Sequence, residues 1–166
     1  MRLFAVGLAL IALVGCGGSD DAPSPAPPQE RDNARFIDGG RDAFEAYVAK
    51  QKGTPVVVNK WASWCGPCRA EFPFFESQAK KRDGEVVFVG VNSSDNDGDA
   101  RDFLADYPVP FPHFKDPDLE VAASFNGVQA FPTTAFYDPR GDLAFVHQGG
   151  YASEAKLAED IDKYAR

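Results

Sequence analysis

The sequence predicts an α/β domain in which a central mixed β-sheet carries helices on both faces, and three features lead there. Short β-branched runs alternate with stretches of helical apolar spacing from about residue 34 to residue 166. Pro55-Val-Val-Val-Asn59 is apolar at successive positions, the pattern of a strand buried on both faces between parallel neighbours. Near the end, Thr133 to Tyr137 and Leu143 to Gln148 flank the turn Asp138-Pro-Arg-Gly141, which makes an antiparallel hairpin and therefore a mixed sheet.

In chain order, residues 1–15 come first. One cation, Arg2, precedes an apolar run from Leu3 to Val14, the pattern of a secretory signal peptide that is too short to span a bilayer. Leu13-Val14-Gly15-Cys16 resembles the lipobox of bacterial lipoproteins, which implies cleavage before Cys16, lipidation of its thiol and attachment to a lipid bilayer. Residues 16–33 have almost no apolar side chains and place four prolines between Pro23 and Pro28, so they read as an extended tether. The folded domain is expected over residues 34–166.

Within it, Ala34 to Asp38 reads as a short strand, and Arg41 to Lys50 carries Phe44, Tyr47 and Val48 at helical spacing. After the strand at Pro55 to Asn59, a helix begins at the cysteine pair and runs from Arg69 to Arg82, with Pro73 expected to kink it. Glu85 to Val91 is the next strand. Asp99 to Tyr107 and Asp118 to Phe125 read as short helices, and Pro108, Pro110 and Pro112 are expected to keep the stretch between them irregular. Ser153 to Tyr164 closes the chain as an amphipathic helix capped by Ser153. No internal repeat is found.

Composition narrows the function. Hydrophobic residues at 44% and charged residues at 25% suit one globular domain with short appendages. A formal charge of -8 argues against nucleic-acid partners, which need a basic face to displace counterions. Three cysteines, Cys16, Cys65 and Cys68, are too few and too unevenly spaced for a disulfide framework. A zinc site would need a second ligand pair beside Cys65 and Cys68, and the two histidines, His113 and His147, lie far away in sequence, so no metal is expected. The acidic stretch Ser93 to Asp102 lacks the spacing and terminal glutamate of a calcium loop and reads as a solvated helix start, with Asp97 or Asp99 near the cap.

The pair Cys65-Gly66-Pro67-Cys68 follows a buried strand and opens a helix. Unpaired backbone N–H groups and the positive end of the helix dipole meet there and stabilise a thiolate. A lowered thiol pKa makes a nucleophile at neutral pH, and a second cysteine one turn on can resolve a mixed disulfide. Gly66 permits the tight strand-to-helix turn and Pro67 stiffens it. A structural disulfide closing so short a loop gains little chain entropy, so redox chemistry is the expected use.

The stretch VVVNKWASWCGPCRAEFPFF, taken with Phe131-Pro132-Thr133-Thr134, resembles the thioredoxin superfamily, in particular its TlpA/ResA-like extracytoplasmic members. The resemblance implies a thioredoxin fold, a thiol-disulfide oxidoreductase without cofactor, and protein thiols or disulfides outside the cytoplasm as partners, together with a membrane or thioredoxin-like electron donor or acceptor. It implies that Cys65 is the exposed attacking thiolate and Cys68 the buried resolving thiol. Pro132 becomes the cis-proline facing them, Phe131 lends its backbone to an extended substrate strand, Trp64 forms an exposed docking rim and Trp61 packs beneath.

Two departures from thioredoxins proper stand out. Asn59 occupies the place of a buried titratable aspartate, so another base is needed, and Glu71, three residues after Cys68, is the expected proton acceptor. Lys60 stands where an aromatic residue is common and is expected either to counter Glu71 or to reach solvent at a partly open face. Peroxidase chemistry of the peroxiredoxin type is disfavoured, since Asn59 to Ser63 lacks the threonine and proline it uses. A disulfide-forming oxidase, or a non-catalytic or copper-delivering lipoprotein, remains the alternative. The Gly-Pro dipeptide between the cysteines resembles reducing thioredoxins, so the expectation leans to a reductant, for instance in cytochrome c maturation.

Overall fold

The computed structural model describes residues 35–166. The expected signal peptide, the expected lipidation at Cys16 and the expected tether lie outside the described residues. Eleven elements follow in order: β1 (Phe36–Ile37), α1 (Gly40–Lys50), β2 (Val56–Trp61), α2 (Gly66–Lys81), β3 (Val87–Ser93), α3 (Asp97–Asp106), β4 (His113–Asp116), α4 (Glu120–Ser124), β5 (Thr133–Tyr137), β6 (Leu143–Gln148) and α5 (Glu154–Tyr164). The six strands form one sheet in the order β1-β4-β3-β2-β5-β6. The first four are parallel, while β5 runs antiparallel to β2 and β6 antiparallel to β5.

Alternation along β2 distributes the core. Val57 and Trp61 face α2, α3 and α5 with Phe72, Phe75, Phe103, Leu157 and Ile161, whereas Val56 and Val58 face α1 and α4 with Phe44, Val48, Val121 and Phe125. All six residues of β2 are buried, as befits a central strand covered on both sides.

One expectation fails. His113 to Asp116, placed in an irregular proline-rich stretch, is strand β4, paired in parallel with both β1 and β3. Pro112 and Pro117 bracket these four residues without entering them, so each keeps the N–H that a ladder needs. His113 is fully buried and accepts a hydrogen bond from Trp61 Nε1 at 3.1 Å, so it is a core residue of the sheet.

Other differences are local. The cap of α3 is Asn96, whose Oδ1 accepts from Asp99 N, rather than Asp97 or Asp99. α4 starts later than expected because Asp116 reaches across to accept from Val121 N and Ala122 N, anchoring the helix start from the sheet. As expected, Pro73 lies inside α2, which runs from Gly66 to Lys81.

Candidate functional site

The site lies where β2 ends and α2 begins. Cys65 is the N-cap of α2, in extended conformation, and its Sγ accepts from Cys68 N at 3.2 Å. Gly66 and Pro67 fill the first turn, where a proline loses no helical hydrogen bond. Cys65 and Cys68 are joined by a disulfide, with Cα atoms 5.3 Å apart. Cys65, expected to be exposed, is only 3% exposed in this oxidised state, because its sulfur is engaged by both the Cys68 sulfur and the Cys68 N–H.

Two loops frame the pair. Trp64 is 59% exposed, yet its Nε1 donates to Ser94 O at 3.0 Å. The preceding Ser63 is tied down by Asp95, whose carboxylate accepts from Ser63 N at 2.6 Å and Ser63 Oγ at 2.7 Å, and also from Asn92 Nδ2. On the other side the Phe131–Pro132 peptide bond is cis, and the Phe131 ring meets Trp64 with centroids 4.8 Å apart. Gly150, on the loop between β6 and α5, closes the group: a side chain there would begin 3.5 Å from Pro67, 3.6 Å from Pro132 and 3.7 Å from Glu71 Oε2. The disulfide helix, the cis-proline loop and the buried carboxylate therefore converge on one patch of backbone without a side chain.

Glu71 is fully buried. Its Oε1 accepts from Asn59 Nδ2 at 2.7 Å and its Oε2 from Tyr151 N at 3.0 Å. Burial pushes its carboxyl up to about 7, the two hydrogen bonds pulling the other way. A carboxyl poised there can take a proton from a thiol near neutral pH and give it up again. Asn59 Oδ1 is buried without a partner, so rotation of the Asn59 amide can offer an acceptor to a protonated Glu71. Glu71 is thus no solvated helix residue.

Lys60 meets neither expectation. It is fully buried, so it does not reach solvent, and it does not pair with Glu71, because successive residues of β2 point to opposite faces. Asn59 turns toward α2 and Glu71; Lys60 turns the other way, where Nζ donates to Gly127 O at 2.6 Å and lies 3.5 Å from the Phe131 ring centroid. Of the two histidines, His113 is neutral, burial holding it down to about 3, and His147 stacks on Tyr151 at 4.2 Å. Tyr151 and Asp95 escaped the sequence reading. The Gly149-Gly150 doublet before Tyr151 is the local signal for one; the other lies in the acidic stretch Ser93 to Asp102, where nothing local marks its tie to Ser63.

A family model described as Redoxin matches residues 35–161. The chain is similar to Thiol-disulfide oxidoreductase ResA of Bacillus subtilis, with 36% identity over 100 residues, 59% of this chain and 55% of that one. It is similar also to Thiol:disulfide interchange protein DsbE of Pseudomonas fluorescens, with 35% identity over 102 residues, 61% of this chain and 55% of that one. The match thus spans little more than half the length of these curated relatives. Among solved structures, a secreted Mycobacterium tuberculosis disulfide oxidoreductase superimposes with a TM-score of 0.62 at 26% identity, covering 69% of this chain and 85% of that one. MTB DsbF, in mixed oxidised and reduced forms, gives 0.63 at 34%, covering 69% and 83%.

Proposed function

The chain belongs to the Redoxin family and has the thioredoxin fold, and on that premise we propose that it is a thiol-disulfide oxidoreductase exchanging disulfides with proteins outside the cytoplasm through Cys65 and Cys68. The observation that carries the reading is the Cys65–Cys68 disulfide at the N-terminus of α2, within the group formed by Trp64, cis-Pro132 and buried Glu71. In the reducing direction the Cys65 thiolate, favoured by the helix dipole, attacks a substrate disulfide and expels one substrate thiolate. Cys68 then loses its proton to Glu71 and attacks Cys65 Sγ, releasing the second substrate thiol. The protein gives up two electrons and ends as the disulfide seen here; a partner must return them.

Localisation, anchoring and direction belong to the same proposal. The apolar N-terminal run and Cys16 support export and lipidation, with residues 16–33 as a tether. Names of the matched relatives, a thiol-disulfide oxidoreductase and a thiol:disulfide interchange protein, support exchange with protein thiols. Gly66-Pro67 between the cysteines supports the reducing direction, with cytochrome c maturation as one setting. Equilibration of the protein with glutathione buffers tests this. The reading expects reversible conversion of the pair at a potential below about -180 mV, nearer the reducing thioredoxins at about -270 mV. A value above about -180 mV assigns the oxidising direction, and a pair that never equilibrates overturns the reading.

A further inference from the structure

Lys60 is the only lysine or arginine fully shut from solvent among the described residues, and the thiol chemistry above does not use it. A buried ammonium is costly, and an apolar side chain on this strand would pack without that cost. What Lys60 touches suggests why it is there. Its hydrogen-bond acceptor is the backbone carbonyl of Gly127 and its second contact is the face of Phe131. Both belong to the segment between α4 and cis-Pro132. That segment turns at Asn126, left-handed at φ 60°, and is held at its margins by Gln148 Nε2 on Asn126 O and by Thr133 Oγ1 on Ala130 O.

Phe131 in turn contacts Trp64. An ammonium, a phenyl ring and an indole therefore form a series of contacts from the rigid centre of the sheet to the exposed rim beside Cys65. Burial pushes Lys60 down to about 8 while the Asp116 carboxylate pulls it back, so roughly nine-tenths of the side chain stays charged at pH 7. A charged donor to a carbonyl and to a ring face is the stronger form of both contacts.

We propose that Lys60 is a positioning residue for protein substrates: by clamping the Gly127 carbonyl and the Phe131 ring it fixes the backbone before Pro132, on which an extended substrate lies beside the cysteine pair. The proposal rests on the exchange activity proposed above. Lys60 touches no sulfur, so its loss weakens substrate placement and leaves thiol reactivity intact.

Two probes separate these effects. One is a ten-residue peptide whose single cysteine is joined to glutathione; the other is hydroxyethyl disulfide, too small to lie along the backbone before Pro132. Reduced protein and peptide–glutathione disulfide give oxidised protein, peptide thiol and glutathione, so the electrons balance. Lys60→Met is expected to raise KM for the peptide fivefold or more, with kcat and the hydroxyethyl disulfide rate within twofold of wild type. An unchanged peptide KM, or equal losses with both probes, overturns the clamp. If Lys60→Met does not fold, the wild type decides. Between pH 7 and 9 the ammonium discharges, Asp116 being the charged group acting on it, and KM for a peptide without groups titrating there is expected to rise at least twofold more than KM for hydroxyethyl disulfide, which shares whatever the titration of Glu71 contributes. A constant KM, or an equal rise with both probes, overturns the proposal. Wild-type protein that exchanges with neither probe defeats the exchange activity and the clamp together; wild-type exchange with an unaltered variant KM defeats the clamp alone.

Discussion

Glu71 couples the chemistry of one residue to the stability of the chain. In the folded protein burial raises its carboxyl to about 7, against 4.5 for the free group. Between those values the folded state holds a proton that the unfolded state has released. Stability is therefore fully supported below pH 4.5 and declines as pH rises through 7, by on the order of 1 kcal/mol per pH unit for one proton. Glu71→Gln stays neutral throughout, and rotation of Asn59 can present its free Oδ1 to the new amide. Urea unfolding of the oxidised protein from pH 4.5 to 8 is expected to show the slope in wild type and to lose it in Glu71→Gln. Parallel profiles would contradict the assignment. The variant should also slow the release of substrate by Cys68, most at pH 7 to 8 where Glu71 acts as base. Asn59 and Lys60, neighbours in sequence, illustrate how residue roles divide by face: one serves the buried carboxylate, the other the loop before Pro132.

Among the elements, β2 and α2 were legible because their signals are strong and local: a β-branched run, then a cysteine cap with glycine and proline in the first turn. Cys65, Cys68, Glu71 and Pro132 could be picked out for the same reason, each being tied to a motif. Strand β4 was hidden, since four residues between prolines carry almost no periodicity and the strand is fixed by its neighbours in the sheet. Lys60 was misread because its partners, Gly127 and Phe131, lie 67 and 71 residues away and no local pattern announces them. β4 yields a test at its own scale. Gly90 of β3 pairs with His113, and a Cβ at Gly90 would fall 1.9 Å from His113 Nδ1, the atom that accepts from Trp61. Gly90→Ala must displace the imidazole and leave the buried indole N–H without its partner. Overpacking and a lost buried hydrogen bond together cost about 2 to 4 kcal/mol. Denaturant unfolding that moves by less than about 1 kcal/mol would show that β3 and β4 tolerate a side chain there.

Over the whole molecule, a sheet buried on both faces holds still the three segments that meet at the site: the start of α2, the loop before Pro132 and the loop carrying Gly150. None of them is close to the others in sequence, and each is anchored by a polar contact, half-buried from Asp95 to Ser63 and buried from Lys60 to Gly127 and from Glu71 to Tyr151. In the oxidised state Cys65 is 3% exposed and Cys68 fully buried behind it, and under the proposed exchange Cys65 is the sulfur that meets the partner. The central claim is that exchange proceeds through a covalent link at Cys65. It is tested most directly by incubating reduced Cys68→Ser and Cys65→Ser proteins with the glutathionylated peptide and identifying the adducts by mass spectrometry. The account expects Cys68→Ser to accumulate a stable mixed disulfide at Cys65 while Cys65→Ser forms little or none; adducts at equal rates on both variants, or none on Cys68→Ser, would contradict it.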